Sequence, residues 1–136
     1  MTFTSVVTGC AGFVGSHLSE RLLAEGHQVI GVDCFTDYYS REIKLANLEG
    51  ALRHPAFRLI EADILALDWT AVLGGATFVF HQAAQAGVRA SWGLSFGHYT
   101  RHNIDATQVL LEAARSTPGL RRFVFASTSS VYGDAE

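Results

Sequence analysis

The chain has 136 residues, a length that suits one domain. It is 49 % hydrophobic and 17 % charged, enough apolar content for a packed core and too little charge for a disordered segment. A net charge of −3 excludes the basic footprint of a nucleic-acid or anionic-membrane binder, so neither partner is expected.

From the N-terminus, residues 3–8 form a short apolar, β-branched run that meets a glycine, the pattern of a buried strand. The first residues show no basic leader pattern, so no leader is expected. Residues 13–24 predict a helix with Val14, Leu18, Leu22 and Leu23 on one face and Gly26 as its stop. Residues 28–32 predict a second strand, and 39–52 a second helix with Ile43, Leu45, Leu48 and Leu52 as apolar positions. A third strand follows at 57–61, a weak helical turn at 67–73 and a fourth strand at 77–81. A long helix is expected over 96–116 and a fifth strand over 122–126. Pro55 and Pro118 both fall between elements.

Strands alternating with helices imply a parallel sheet, because parallel strands need crossover connections. Five strands in this order predict an α/β fold, a doubly wound Rossmann-type sheet. The usual sixth strand is missing, so the chain is expected to be one incomplete dinucleotide-binding domain over 1–136, lacking a substrate region. Cys10 and Cys34 form no motif, and no apolar run approaches the ~18 residues of a membrane span. A reducing, cytoplasmic setting is therefore expected.

The chemistry-bearing residues cluster after the strands. Gly9, Gly12 and Gly15 join the first strand to the first helix. Gly9 permits the tight turn, Gly12 admits a pyrophosphate to the backbone, and Gly15 lets helix and strand pack closely. The free amides of Phe13 and Val14 then face the phosphates at the positive end of the helix. Asp33 ends the second strand, 24 residues after Gly9. Its carboxylate suits both hydroxyls of an adenosine ribose and repels a 2′-phosphate, which favours NAD over NADP as cofactor. Glu61-Ala62-Asp63-Ile64 follows the third strand; Asp63 either accepts from an adenine amino group or caps the next turn, and Ile64 can cover the ring. His81 ends the fourth strand and is read as a structural histidine. The other five histidines are read as lacking the H-x-x-x-H type of spacing, and no metal site is expected.

Thr8-Gly9-Cys10-Ala11-Gly12-Phe13-Val14-Gly15-Ser16-His17-Leu18, with its G-x-x-G-x-x-G spacing, resembles the opening of the extended short-chain dehydrogenase/reductase family of sugar-nucleotide epimerases, dehydratases and decarboxylases. The resemblance implies that Asp63 and Ile64 hold the adenine, that Ala83, Ala84 and Gln85 lie along the cofactor, and that Asn103 approaches it. It also extends the cofactor site to Cys34, Asp37 and Ser127. Anchoring on Val131-Tyr132-Gly133, it places the catalytic hydroxyl on Thr128, where it would bond the sugar oxygen being oxidised. Ser129 and Arg89 would meet the substrate.

Ser129 and Ser130 stand where dehydratases of the family carry Asp-Glu and decarboxylases a Glu, so the 4-epimerase branch is favoured. Gln85-Ala86-Gly87-Val88-Arg89 and Asp33-Cys34-Phe35-Thr36-Asp37-Tyr38-Tyr39 resemble its UDP-glucuronate 4-epimerases. The implied reaction is inversion at C4 of a UDP-hexuronate or UDP-hexose through a transient 4-keto sugar, in a homodimer. A 4,6-dehydratase or decarboxylase, or a non-catalytic NAD-binding regulator, are the other readings. The family's Tyr-x-x-x-Lys is absent, Lys44 being the one lysine, so these residues alone are expected to be inactive.

Overall fold

The computed structural model describes residues 2–134. Strand β1 (Thr4–Thr8) sits at the centre of a five-stranded parallel sheet ordered β3-β2-β1-β4-β5. Its neighbours are β2 (Gln28–Asp33) and β4 (Phe78–His81), flanked by β3 (Phe57–Glu61) and β5 (Arg122–Phe125). Val6 lies beside Ile30 on one side and Val79 on the other. This is the doubly wound α/β architecture expected from the alternation of strands and helices.

Successive strand residues face opposite sides of a sheet, which divides the core in two. Val6, Val32 and Val79 pack with Trp69, Val72, Leu73 and Leu110 from helices α4 (Trp69–Leu73) and α6 (Ala106–Arg115). Val7 and Val29 pack on the other face with Leu22 and Leu23 of α1 (Phe13–Ala24), Leu48, and Ala51 of α3 (Glu49–Leu52). Helix α1 has the bounds expected of it. Its stop is a Schellman turn: Gly26, at φ +85°, donates to Leu23 O and His27 donates to Leu22 O, both at 3.0 Å.

Three expectations are corrected. Val14 is exposed, and α1 instead buries Gly15, Ser16 and Ser19 with Leu22 and Leu23, since a Cβ on Gly15 would already meet the turn before the helix. The predicted helix over 39–52 is two helices, α2 (Arg41–Asn47), capped by Ser40, and α3, meeting at Leu48. Its buried stripe is Lys44, Leu48 and Ala51, while Ile43, Leu45 and Leu52 are exposed. The long helix over 96–116 is continuous but not uniform. It runs from α5 (Phe96–Thr100) through a π-helical stretch, Arg101–Asp105, into α6.

Candidate functional site

The turn from β1 into α1 is held from several sides. Gly9 adopts φ +68°, and a Cβ there would stand 2.8 Å from Ala83 Cα. The amides of Gly9 and Cys10 donate to Val32 O at 2.8 and 3.3 Å. Gly12 donates to Gly9 O at 3.1 Å, and the first helical bond runs from Ser16 N to Gly12 O. A Cβ on Gly15 would collide with Gly9 O, so the close packing expected of this glycine is what the fold requires. Gly12, the N-cap, offers the helix no side-chain acceptor. Among the described residues the amides of Phe13 and Val14 have no backbone acceptor, and both residues are exposed. Such a helix start attracts anions.

Asp33 lies beside this turn. Its Oδ2 accepts from the Ala11 amide at 3.0 Å and its Oδ1 from the Phe35 amide at 2.8 Å, across a backbone that reaches φ +50° at Phe35. Two anchored oxygens fix the carboxylate in place and leave lone pairs for a diol. Asn47 of α2 supports the turn from below, donating from Nδ2 to Ala11 O at 3.0 Å. Lys44 is buried; its Nζ donates to Thr36 O at 2.5 Å and lies 4.9 Å from the Tyr39 ring centroid. Arg41 pairs through both terminal nitrogens with Glu61, at 2.6 and 2.7 Å. Burial and the nearby Asp33 raise the Cys34 thiol and the Tyr39 hydroxyl above their usual ranges.

Across the cleft, Asp63 caps the turn that follows β3. Its Oδ1 accepts from the Leu65 amide at 2.9 Å and its Oδ2 from Arg101 at 2.7 Å. Burial pulls its carboxyl upward, but the Leu65 amide and Arg101 outweigh that and hold it below the usual range. The capping role that the sequence left open is therefore present.

His81 has partners that the sequence did not disclose. Nδ1 lies 2.6 Å from Thr8 Oγ1 and Nε2 lies 2.9 Å from Thr107 Oγ1. Thr107 donates its own proton to Asn103 O at 2.8 Å, so it accepts from His81 Nε2–H. Thr8 then donates to Nδ1 and accepts from the Ala83 amide at 3.2 Å. Burial pushes the imidazole down to about 4. Asn103 continues the chain: Oδ1 accepts from Gln85 N at 2.7 Å and Nδ2 donates to Gln85 O at 3.0 Å. Its side chain clamps the segment after β4 and so shapes the cleft wall from outside it.

These walls enclose a cleft of about 230 Å³ at the C-terminal ends of the strands. It brings together Gly9, Gly12, Asp33, Cys34, Asp63, Ile64, Ala83, Ala84 and Gln85 from the expected set. Phe13, Val14, Gly15 and Asn103 flank it without lining it. Asp37 is exposed and does not line it, and neither do Arg89, Ser127, Thr128 and Ser129, all exposed. Thr128 caps a short turn, its Oγ1 accepting from Ser130 N at 3.3 Å. Thr36, Tyr38, Tyr39, Lys44 and His102 line the cleft but escaped the sequence reading. Nothing in the sequence marks Lys44 as buried, and its place in the cleft is seen only in the fold.

One expectation about the histidines is wrong on the sequence itself. His98 and His102 are four apart, and their ring centroids are 4.4 Å apart at an angle of 62°. His98 Nε2 lies 3.0 Å from Gln85 Oε1. Burial and the neighbouring His98 lower the His102 imidazole.

A model of the family described as "NAD dependent epimerase/dehydratase family" matches residues 5–136. An uncharacterized UDP-glucose epimerase of Bacillus subtilis is 48 % identical over 132 residues, covering 96 % of this chain and 42 % of that protein. UDP-glucuronate 4-epimerase 2 of Arabidopsis thaliana is 40 % identical over 131 residues, covering 94 % of this chain and 30 % of that protein. The crystal structure of a UDP-glucuronic acid 4-epimerase from Bacillus cereus, in complex with UDP-glucuronic acid and NAD, superposes with a TM-score of 0.91 at 40 % identity. It covers 98 % of this chain and 43 % of that one. The chain thus spans less than half the length of these relatives.

Proposed function

The chain belongs to the NAD dependent epimerase/dehydratase family, and from that premise we propose that it is the dinucleotide-binding domain of a nucleotide-sugar epimerase that inverts C4 of a UDP-hexuronate or UDP-hexose. The observation that carries this reading is the start of α1, at the edge of the cleft. It presents the two free amides of Phe13 and Val14 beside a carboxylate, Asp33, that two backbone N–H groups hold still. That pairing suits a pyrophosphate joined to an adenosine diol, and the Cβ-free approach at Gly12 leaves room for it.

In this reading NAD is the cofactor; bound, it would accept and return the hydride of the sugar carbon. Gly9, Gly12 and Gly15 shape the pyrophosphate seat, and Asp33 takes the ribose hydroxyls. Ile64 covers the adenine while Asp63, already shared between Leu65 and Arg101, offers it a remaining lone pair. Ala83, Ala84 and Gln85 run along the far side, positioned by Thr8 and Asn103. Cys34 and Ser127 complete the cofactor contacts; Thr128 bonds the sugar oxygen, with Ser129 and Arg89 toward the substrate. Ser129 and Ser130 support epimerisation over elimination, because neither supplies the acid or base that loss of water needs.

Ile104 on the π stretch and Leu111 on α6 are both exposed, which supports a homodimer through that helix. Two free cysteines support a cytoplasmic setting. Among the described residues no helix is long and apolar enough to cross a membrane. The test is a product assay by NMR on the whole polypeptide, supplied with UDP-glucuronate and with UDP-glucose. Inversion at C4 is expected; loss of the C6 oxygen or of CO₂ would assign a sister reaction.

A further inference from the structure

The His98–His102 pair was given no role in the reading above, although His102 lines the same cleft. On a helix, residues four apart stand one above the other on one face. Here the rings have converged to 4.4 Å between centroids, at the join of α5 and the π stretch. The His102 ring makes no side-chain hydrogen bond among the described residues, so its nitrogens can take a ligand. Gln85 Oε1 adds an oxygen 3.0 Å from His98 Nε2.

The scaffold under these three side chains is tied down by side-chain hydrogen bonds. Asn103 grips both backbone groups of Gln85, and Tyr99 donates its hydroxyl to Ala86 O at 3.1 Å. The π stretch and the segment after β4 are thereby tied together on either side of the pair. Two neutral imidazoles plus an amide oxygen form a donor set for a borderline divalent transition metal, with water filling the remaining positions. No three His, Cys, Asp or Glu side chains converge anywhere among the described residues, so the site is a two-histidine chelate and not a closed cage.

We propose that His98 and His102 form a chelating site for a divalent transition metal such as copper(II), nickel(II) or zinc(II) at the rim of the cleft, with Gln85 as a supporting oxygen ligand. The general affinity order puts copper(II) tightest.

The test is titration of the chain with copper(II), followed by calorimetry and by paramagnetic broadening of its amide NMR signals. One tight equivalent is expected, with broadening centred on residues 85, 98 and 102. His98→Asn and His102→Asn should each weaken binding by about tenfold or more, since even outer-shell changes cost metal sites that much. Zinc(II), which binds such a site less tightly than copper(II), should restore the broadened signals only when added in large excess. Circular dichroism of each variant separates lost ligation from lost folding. A Gln85→Ala variant, which leaves both imidazoles in place, should bind more weakly than the parent but more tightly than either histidine variant. Broadening centred on His17, His54 or the N-terminus would overturn the assignment, as would two well-folded histidine variants that still bind like the parent.

Discussion

The Nε2 proton of His81 goes to the hydroxyl of Thr107, 2.9 Å away, and that hydroxyl passes its own proton to the carbonyl of Asn103. The assignment follows from the network, since Thr107 has one proton to give and Asn103 O can only accept. Read in full, the chain runs from the Ala83 amide through Thr8, His81 and Thr107 to Asn103, whose side chain then holds Gln85. One buried imidazole ties the end of β1 to the end of β4 and to the π stretch.

Replacing His81 by alanine would leave the buried Thr8 hydroxyl without its acceptor, remove the donor to Thr107 and open a cavity beside Phe123 and Phe125, which flank the ring. Such losses cost about 2–4 kcal/mol. Urea denaturation of the variant should show a lower midpoint, with little change in slope, and an unfolding free energy smaller by that amount.

The same imidazole makes stability depend on pH. Its folded value lies at about 4, below the ordinary 6.5, so the unfolded chain binds the proton more readily than the folded one. Stability is fully present above pH 6.5, falls as pH drops through the interval from 6.5 to 4, and levels below it. The full loss is roughly 3 kcal/mol. Unfolding curves across this interval should show the decline, and His81→Asn, starting from its own lower stability, should lack that part of it.

Gly15→Ala should be among the most damaging small substitutions, because the new methyl would meet the Gly9 carbonyl. Either α1 moves off the sheet or the turn rearranges, at a cost of about 1–3 kcal/mol for overpacking. Thermal unfolding measures that cost. Gly26→Ala, which meets nothing within 4 Å but sits at φ +85°, should cost less, roughly 1 kcal/mol.

Asn103→Ala removes both bonds to the Gln85 backbone while leaving the helix intact. Hydrogen exchange should show the Gln85 amide losing protection selectively, with the amides of β1 unchanged. Asn103→Asp keeps the acceptor and should retain most of that protection.

The alternation of strands and helices was legible because strands buried on both faces leave apolar runs, and α1 stands where its glycines and Gly26 put it. The second helix was misjudged because Ile43, Leu45 and Leu52 read as a buried stripe, whereas Lys44 turns its ammonium inward to the Thr36 carbonyl and Leu48 and Ala51 are the residues buried. Nothing local marks the π stretch at Arg101–Asp105; it arises where the helix must present Asn103 to Gln85 and Thr107 to His81. In the cleft, the glycines, Asp33 and the alanines after β4 were legible from their places at strand ends. Tyr38, Tyr39 and Lys44 were not, because they reach the cleft from a loop and a helix whose course depends on tertiary packing.

The central claim is a pyrophosphate seat on the Phe13 and Val14 amides beside a ribose grip on Asp33. Calorimetric titration of the chain with NAD and with NADP, repeated on Asp33→Ala, tests it most directly. NAD should bind, NADP should bind at least about tenfold more weakly because its 2′-phosphate meets the carboxylate, and Asp33→Ala should weaken NAD and erase that preference. Equal affinity for both dinucleotides in the parent chain, or NAD affinity unmoved by Asp33→Ala, would contradict it.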